Sequence, residues 1–397
     1  MKYNFDEPTD RTKIYSLKWD VEKNELPMWV ADMDFKAAPQ IIAAMQERLD
    51  NGTFGYSIVP DEWSEAYRNW WGRRHGFWME KEWLIFCTGV VPAISSIVRK
   101  ITTPNENVLI QTPVYNIFFN SIINNGCRVL ESPLRYEDGV YEIDFTDLEE
   151  KLSDPQTTLM ILCNPHNPIG KIWDRETLAH IGELCKKHHV TVIADEIHCD
   201  LTKPGLKYTP FASVSDTCRE ISITCIAPTK TFNLAGLQTA AVCVPDPQLR
   251  HKVWRGLNTD EVAEPNAFAM AATIAAFEQG EEWLEELRTY IWENRHMVET
   301  FVEKELPEIK VVAGEATYLL WLDCSALLTR AGGFLGITDS VALAGYIRKC
   351  TGLYLSDGLE YGESGKCFLR MNIACQSRKV ADGLERLKMA LAGNDRK

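Results

Sequence analysis

The chain has 397 residues, of which 45% are hydrophobic and 25% charged, so it is long enough for two domains and has the composition of a globular protein. A formal net charge of −14 argues against nucleic acid or an anionic membrane as a partner, and neither a secretory signal nor an apolar run long enough to span a bilayer is visible. Twelve cysteines without the spacing of a metal site predict no metal centre and a reducing compartment, with the cytoplasm as the expected location.

The N-terminal part, residues 1–47, begins as polar, extended sequence and leads into a short predicted helix that starts at Pro39. After a turn around Gly55, a second helix carries an aromatic stripe at helical spacing. The stripe consists of Trp63, Tyr67, Trp70 and Trp71. Such a stripe predicts burial in the core or at a subunit interface rather than a ligand site.

Strand and helix signals alternate from residue 84, and residues 84–244 contain seven strand candidates. This order predicts an α/β fold with a largely parallel seven-stranded sheet and helices on both faces. Beyond residue 246 the periodicity is mostly helical, and from about residue 310 short strands mix with helices in the pattern of a smaller α+β domain. We expect a large domain over residues 48–285 and a small domain formed by residues 1–47 and 286–397.

Polar signals fall where strands of this sheet end, which is where open α/β sheets bind ligands. Residues 88–91 open a helix whose free N–H groups can hold an anion, and residues 164–170 form a rigid loop with two Asn-Pro pairs. Asp195 ends a wholly apolar strand, directly before Glu196. Taken singly, these signals have ordinary explanations as a strand–helix turn, turn asparagines and a capping carboxylate.

Lys230 is the fourth signal, because it lies between two apolar runs, residues 221–226 and 239–244. Low-dielectric surroundings lower the pKa of a lysine and make its amine a nucleophile, although a solvated loop lysine explains this stretch alone equally well. Pyridoxal phosphate uses all four parts: a lysine for its aldehyde, an acid for its ring nitrogen, a donor for its phenolate oxygen and an anion pocket for its phosphate. The combination therefore predicts pyridoxal phosphate as the cofactor.

Four motifs make the chain resemble the fold-type I pyridoxal-phosphate enzymes of the class I/II aminotransferase-like family over nearly its whole length. They are Asn-Pro-His-Asn-Pro-Ile-Gly (164–170), Ala-Asp-Glu-Ile-His (194–198), Thr-Lys-Thr-Phe-Asn (229–233) and Phe-Leu-Arg-Met-Asn (368–372). Within that family, Trp-Val-Ala-Asp-Met-Asp-Phe (29–35), Gly-Tyr-Ser (55–57) and Lys-Thr-Phe-Asn-Leu-Ala-Gly-Leu (230–237) look most like the MalY/PatB-type cystathionine β-lyases, or C–S lyases. The resemblance implies the aspartate aminotransferase-like fold, pyridoxal phosphate, and a homodimer whose active site is shared between subunits.

The resemblance also implies roles for the residues that match the family's motifs. Lys230 would bond the cofactor and move the substrate's Cα proton, and Tyr115 is the other residue expected in catalysis. Asp195 would pair with the ring nitrogen and Asn167 with the phenolate oxygen, while Arg370 would clamp the substrate carboxylate in bidentate geometry. The remaining expected contacts are Ala31 with the substrate, Tyr115 stacked on the ring, and Val90, Val91, Thr229 and the partner subunit's Tyr56 at the phosphate.

Three positions leave details open. His198 could donate to the phenolate oxygen or only pack beneath the ring. Many family members carry a serine three residues before the lysine and a basic residue eight positions after it, where this chain has Ala227 and Gln238. Since both positions normally contact the phosphate, the expected grip rests on Thr229, the helix start and Tyr56.

The expected function is β-elimination of a thiol from L-cystathionine or a cysteine S-conjugate, which leaves pyruvate and ammonia. An aminotransferase of an L-amino acid is one alternative, because the same motifs serve it and only residues 29–35 favour the lyase. A regulatory protein with a residual lyase site is the other. The intact set of Lys230, Asp195, Asn167 and Arg370 argues for a working enzyme.

Overall fold

A computed structural model of the chain describes residues 2–393. This part of the chain contains fifteen strands and fourteen α-helices. The strands are β1 (Leu26–Pro27), β2 (Leu84–Cys87), β3 (Asn107–Ile110), β4 (Arg128–Glu131), β5 (Arg135–Glu137), β6 (Val140–Glu142), β7 (Thr157–Cys163), β8 (Thr191–Asp195), β9 (Ser222–Ile226), β10 (Ala240–Cys243), β11 (Lys310–Val311), β12 (Leu319–Asp323), β13 (Leu353–Tyr354), β14 (Ser356–Asp357) and β15 (Phe368–Asn372). The helices are α1 (Pro39–Asp50), α2 (Asp61–His75), α3 (Val90–Ile101), α4 (Ile117–Ile123), α5 (Phe145–Leu152), α6 (Arg175–Lys187), α7 (Asp216–Ile221), α8 (Pro228–Thr231), α9 (Pro247–Thr259), α10 (Ala269–Gln279), α11 (Glu281–Glu305), α12 (Ser325–Leu328), α13 (Ser340–Thr351) and α14 (Ser377–Leu391).

The large sheet has the strand order β2-β10-β9-β8-β7-β3-β4. All neighbours are parallel except β10, which runs antiparallel to both β2 and β9. The sheet is covered on both faces, because α3 packs on one face with Ile193 of β8 and α6 packs on the other with Val192 and Ala194 of the same strand. The predicted α/β fold with a mostly parallel seven-stranded sheet is therefore confirmed, and all seven strand candidates belong to it.

The carboxyl ends of three adjacent parallel strands lie side by side. Cys163 at the end of β7 pairs with Asp195 at the end of β8, and Asp195 pairs with Cys225 in β9. The segment with Lys230 follows β9 directly, and residues 164–170 follow β7. Parallel register thus brings three of the four polar signals to one edge of the sheet.

A second sheet is antiparallel, with the order β11-β12-β15-β14, and is built from C-terminal residues. Its strand β15 carries Arg370 opposite Trp321 and Ser356. The N-terminal strand β1 pairs in parallel with β13, so the start of the chain joins this C-terminal region. The domain boundaries at residues 47 and 285 stay a prediction.

The aromatic stripe of α2 is buried, which confirms its predicted place in the core. Each of its four residues exposes at most 1% of its surface: Trp63, Tyr67, Trp70 and Trp71. Trp70 meets Phe232 edge-on, with the ring centres 5.6 Å apart. Because Phe232 follows Lys230 by two residues, the stripe supports the segment that carries this lysine.

Two local features differ from the sequence-based expectation. The acidic stretch after β4 carries no predicted element, yet it forms the hairpin β5–β6 and the helix α5, which is capped by the side chain of Asp144. The loop predicted around Lys230 contains the helical turn α8, because Pro228 at its first position presets a helical φ and needs no N–H partner. Within residues 2–393, no helix is both long and apolar enough to cross a membrane.

Candidate active site

A cavity of about 280 Å³ opens at the carboxyl edge of the large sheet. All the predicted site residues except Arg370 and Tyr56 line it: Ala31, Val90, Val91, Tyr115, Asn167, Asp195, His198, Thr229 and Lys230. These residues come from segments spread over some two hundred positions of the chain and meet only through the fold. The predicted groups therefore converge on one space sized for a small ligand.

Lys230 lies in the helical turn α8, with its side chain half-buried in the cavity wall. Its Nζ donates a hydrogen bond to the main-chain oxygen of Ala31 at 2.6 Å. Loss of water around the ammonium lowers the pKa of Lys230 to about 8, an effect that Asp32 opposes and Arg370 strengthens. A larger neutral fraction at physiological pH makes this amine a usable nucleophile and base.

The lowered pKa of Lys230 leads to a prediction for cofactor uptake. Only the neutral amine attacks an aldehyde, so cofactor-free protein should take up pyridoxal phosphate faster as the pH rises, with the midpoint of this increase near pH 8. The measurement is stopped-flow absorbance between about pH 6 and pH 10. This range distinguishes a lysine with a lowered pKa from one with the ordinary pKa. Lys230→Ala is the control and should give no absorbance change from a covalent link. A midpoint near 10 would contradict the prediction, because it belongs to an unperturbed lysine.

Asp195 and Glu196 are adjacent but face different environments. Asp195 lines the cavity, and its Oδ1 accepts the N–H of Ile197 at 3.1 Å. Burial raises the pKa of Asp195 to about 6, although that hydrogen bond and the charge of Lys230 act in the opposite direction. Because burial disfavours the ionised carboxylate of Asp195, a cationic partner such as a protonated ring nitrogen would stabilise that ionised form. Glu196 lies outside the cavity lining, accepts the N–H of Phe211 at 2.8 Å, and has its pKa raised to about 8 by burial.

Arg370 lies behind the cavity, with 5% of its surface exposed. Its Nη1 donates to Oδ1 of Asn167 at 3.3 Å, and its Nη2 donates to the main-chain oxygen of Trp29 at 2.7 Å. The guanidinium carbon also lies 4.9 Å from the ring centre of Tyr361, which is a cation–π contact. These contacts fix the plane of a five-donor group beside a residue that lines the cavity.

His198 lines the cavity and keeps a neutral imidazole. Burial, together with the positive charges of Lys230 and Arg370, lowers the pKa of His198 to about 3. Its Nδ1 is buried and has no hydrogen-bond partner within residues 2–393. A buried polar atom left open in this way suits a ligand that supplies the missing partner, so the residues present fit pyridoxal phosphate. Donation to the phenolate oxygen and packing beneath the ring both stay predictions for His198.

The phosphate contacts expected from the sequence divide into two groups. Val90 and Val91 begin helix α3 at the cavity wall, where the first N–H groups of a helix lack helical partners and suit an anion. Thr229 and Gln238 line the same cavity, so the departure at position 238 places an amide there instead of a cation. Tyr56 is fully exposed, at 101%, and does not line the cavity of its own chain. A phosphate contact from Tyr56 therefore requires a second copy of the chain.

Tyr318 contributes a contact that no sequence motif indicates. Its side chain is fully buried, and its hydroxyl donates to the main-chain oxygen of Ala31 at 3.0 Å, the same oxygen that accepts from Lys230. Its ring meets that of His198 edge-on, with the centres 6.1 Å apart. Tyr318 and Ala31 are 287 positions apart, so no local pattern could have revealed the contact.

A cluster outside the cavity resembles a metal site, but its carboxylate is already paired with the guanidinium of Arg74. His75, Cys199 and Asp200 hold three possible metal-binding atoms within 4.8 Å of one another. Asp200 pairs with Nε of Arg74 at 3.2 Å and with Nε2 of His75 at 3.0 Å, and it accepts from Nε1 of Trp70 at 3.0 Å. Because the Arg74 guanidinium would repel a metal ion, the cluster is a buried ion-pair network.

Comparison with known proteins gives relatives over nearly the whole length of the chain. The sequence profile of the aminotransferase class I and II family matches residues 25–387. Cystathionine beta-lyase PatB of Bacillus subtilis (strain 168) is 45% identical over 395 residues, which cover 98% of this chain and 100% of that protein. The structure of cystalysin from Treponema denticola, which contains a pyridoxal 5'-phosphate cofactor, has a TM-score of 0.94 at 32% identity and covers 99% of this chain and 100% of its own. The PLP-bound C–S lyase of Staphylococcus hominis has a TM-score of 0.92 at 34% identity, with 99% and 100% covered.

Proposed function

The chain belongs to the aminotransferase class I and II family, and from this premise we propose that it is a pyridoxal-phosphate-dependent carbon–sulfur β-lyase. Its substrate is an L-amino acid with a sulfur substituent on Cβ, such as L-cystathionine or another cysteine S-conjugate. The proposal rests chiefly on the site: Lys230, Asp195 and Asn167 line one cavity, and Arg370 is hydrogen-bonded to Asn167. The chain is also 45% identical to a cystathionine beta-lyase. The cofactor present in the solved relatives supports the choice of pyridoxal phosphate.

The residues of the site divide the reaction between them. Pyridoxal phosphate, when bound, supplies a conjugated ring that stabilises negative charge at the substrate's Cα. Arg370 orients the substrate by pairing with its carboxylate, while Asp195 keeps the ring nitrogen protonated. Lys230, freed as a neutral amine, takes the Cα proton. The Cβ–S bond then breaks with its electron pair leaving on sulfur, and the released enamine hydrolyses to pyruvate and ammonia.

The other cavity residues hold the cofactor and substrate in this proposal. Tyr115 stacks on the ring, and burial raises its pKa to about 12, so its hydroxyl stays a hydrogen-bond donor at neutral pH. Asn167 donates to the phenolate oxygen, and Ala31 contacts the substrate. The helix start at Val90 and Val91, together with Thr229, holds the phosphate.

An aminotransferase is the competing function, because removal of the same proton can also lead to transfer of the amine. The deciding experiment incubates purified holoenzyme with L-cystathionine and no keto acid, and measures pyruvate and ammonia. A lyase should form both continuously and in equal amounts. Product limited to one turnover, with activity restored by a keto acid, would instead establish an aminotransferase. A protein that binds no pyridoxal phosphate would overturn both assignments.

We propose that the enzyme is a homodimer with shared active sites. Residues 52–60 have no helix or strand, and three of their apolar side chains are largely exposed: Phe54 at 55%, Tyr56 at 101% and Ile58 at 79%. An exposed apolar patch of this kind is typical of a protein–protein interface. A second copy of the chain would cover this patch. The hydroxyl of Tyr56 would then contact the phosphate bound in the cavity of that second copy.

A hybrid dimer tests this sharing. Tyr56→Ala should weaken cofactor retention by about tenfold to a hundredfold, because it removes a hydrogen bond to a charged group. Consider a dimer of one Tyr56→Ala subunit and one Lys230→Ala subunit. One active site carries both substitutions and the other carries neither, because Tyr56 and Lys230 of a site come from different subunits. The two variants carry different tags, so the hybrid can be isolated after they are mixed. At limiting cofactor concentration, this hybrid should show activity that neither parent variant shows. A hybrid without recovered activity, or a monomer in sedimentation, would contradict the shared site.

The cytoplasm is the proposed location of the enzyme. All twelve cysteines are free thiols in the structure, and most of them are buried. Free cysteines in this number are typical of a reducing compartment, because an oxidising one favours disulfides.

A further inference from the structure

Residues 29–35, here called the strap, pass the cavity as a stretch without helix or strand. The main-chain oxygen of Trp29 accepts a hydrogen bond from Nη2 of Arg370 at 2.7 Å, and that of Ala31 accepts one from Nζ of Lys230 at 2.6 Å. The two side chains that carry the proposed chemistry are thus both oriented by the backbone of one irregular segment. Groups that fix the strap also fix these side chains.

Asn372 holds the strap between those two oxygens. It follows Arg370 by two residues on β15, and it is fully buried. Its Nδ2 donates to the main-chain oxygens of Val30 at 2.5 Å and Asp32 at 2.7 Å, and its Oδ1 accepts a main-chain N–H two residues further on. The two oxygens bound by Asn372 alternate along the chain with the two oxygens that accept from Arg370 and Lys230.

Asn233 holds the other end of the strap. It follows Lys230 by three residues and has a left-handed backbone conformation, with φ at 58°, which asparagine adopts more readily than most residues. Its Nδ2 donates to the main-chain oxygens of Met33 at 3.1 Å and Phe35 at 2.8 Å, and its Oδ1 accepts the N–H of Met33 at 3.0 Å. The side-chain amide therefore pairs with the strap in both directions, as a neighbouring strand would.

We infer that Asn233 and Asn372 are positioning residues that clamp the strap, so that its backbone holds Lys230 and Arg370 in place. The inference rests on the proposed function, because it uses the roles assigned there to these two side chains. Each asparagine closes the sequence motif of the residue it serves, at positions 229–233 and 368–372. A loosened strap should therefore disturb proton removal and carboxylate binding together.

The strap also has an anchor that does not involve either asparagine. The side chain of Asp34 accepts from Nη1 of Arg11 at 2.9 Å and from Nε1 of Trp19 at 2.9 Å, and it pairs with Nζ of Lys18 at 3.3 Å. Because these contacts remain when one amide is removed, the strap should stay docked but move more freely. The expected defect is thus one of position rather than of folding.

The test compares Asn233→Asp and Asn372→Asp with wild type as full-length, cofactor-loaded enzymes. Replacing the amide nitrogen by a carboxylate oxygen sets two acceptors against each other at the strap. Deuterium exchange measured by mass spectrometry should become faster in the peptides that cover the strap. For L-cystathionine, kcat should fall and KM should rise, so that kcat/KM falls by about tenfold to a hundredfold.

Asn125→Asp is the matched control for these substitutions. The Nδ2 of Asn125 donates to the main-chain oxygen of Ser121 at 2.7 Å and to Oγ of Ser95 at 2.9 Å, in a part of the fold away from the strap. Strap exchange, kcat and KM should all stay at their wild-type values in this variant. For Asn233, which is half-buried like Asn125, the comparison separates loss of the strap contacts from the general effect of replacing such an amide.

Wild-type strap exchange in both variants would overturn the inference, whatever happens to the rate. Faster exchange with unchanged kcat and KM would also overturn it, because the strap would then not position the functional side chains. A wild-type enzyme without lyase activity would overturn the proposed function instead, and strap exchange would still decide whether the clamp exists. If an aspartate variant fails to fold, Asn233→Ser and Asn372→Ser shorten the side chain without adding charge and are read in the same way.

Discussion

Replacing Lys230 by alanine should reduce β-elimination of L-cystathionine by about 10³-fold or more, because one side chain supplies both the bond to the cofactor and the base for the Cα proton. No other group of the described cavity lining is poised to replace it. His198 has a pKa lowered to about 3, chiefly by burial, and this cause persists after the lysine is gone. Tyr115 has a pKa raised to about 12 by burial and stays protonated. Pyruvate formation by the purified, cofactor-treated variant measures the loss.

Lys171→Ala is the matched control for Lys230→Ala. Lys171 lies over the ring of Trp173, with Nζ 5.5 Å from the ring centre, and does not line the cavity. This variant should keep wild-type turnover. Wild-type pyruvate rates in Lys230→Ala would contradict the assignment of the lysine.

The Lys230→Ala protein should stay folded, because burial of the charged Lys230 amine destabilises the wild-type fold and the variant lacks this amine. The pKa of Lys230 falls from its ordinary value to about 8 on folding, so the folded state disfavours the charged amine. In the cofactor-free wild type, this penalty on the free energy of unfolding is fully present below about pH 8 and disappears above the ordinary lysine pKa. Chemical denaturation at neutral pH shows whether a loss of activity reflects the missing amine rather than a missing fold.

Much of the fold could be predicted because the strands of a parallel sheet covered on both faces are nearly continuous apolar runs. Strands β7 and β9 are of this kind, and helices with clear apolar faces separate such runs along the chain. The hairpin β5–β6 could not be found in this way, because its strands are three residues long and largely exposed. The pairing of β1 with β13 joins distant parts of the chain and leaves no local pattern.

The candidate site likewise contains residues that the local sequence predicts and residues that only the three-dimensional structure reveals. Lys230 and Asp195 could be predicted because each directly follows or ends a buried strand, so that sequence position alone places it at the carboxyl edge of the sheet. Glu196 has the same sequence signal as Asp195, and only the structure shows that it lies outside the cavity lining. Tyr318 and Asn233 contact main-chain atoms of residues 29–35. Although Asn233 belongs to a recognisable motif, the residue types at 29–35 do not show which main-chain atoms these side chains contact.

Asp200→Ala should destabilise the fold more than any surface substitution. The carboxylate is 1% exposed and accepts from Trp70 Nε1 at 3.0 Å and Thr231 Oγ1 at 3.2 Å, besides its pairs with Arg74 and His75. These partners lie on α2 and α8, so one carboxylate ties the aromatic stripe to the turn that carries the lysine. Removing one partner of a buried ion pair costs about 3–5 kcal/mol, because the other partner is left buried and uncompensated.

Asp216→Ala is the matched control, because its carboxylate side chain is 97% exposed and pairs with Arg219 on the surface, at 3.0 Å. Its free energy of unfolding should change by less than about 1 kcal/mol. Although burial raises the pKa of Asp200, His75 and Arg74 lower it to about 2, so its stabilisation persists above the ordinary carboxyl value and is lost as the pH falls through about 2. Denaturation curves should therefore show the Asp200→Ala deficit from neutral pH down to about pH 4 and a smaller deficit below.

A deficit below about 1 kcal/mol at neutral pH would contradict this account of Asp200. Arg74 also pairs with Glu285 at 2.7 Å and with Glu281 at 3.0 Å, and both of these carboxylates are partly exposed. A small deficit would mean that these two residues alone satisfy the guanidinium. Helix α2 would then support the lysine turn only through the apolar contact of Trp70 with Phe232, and not through Asp200.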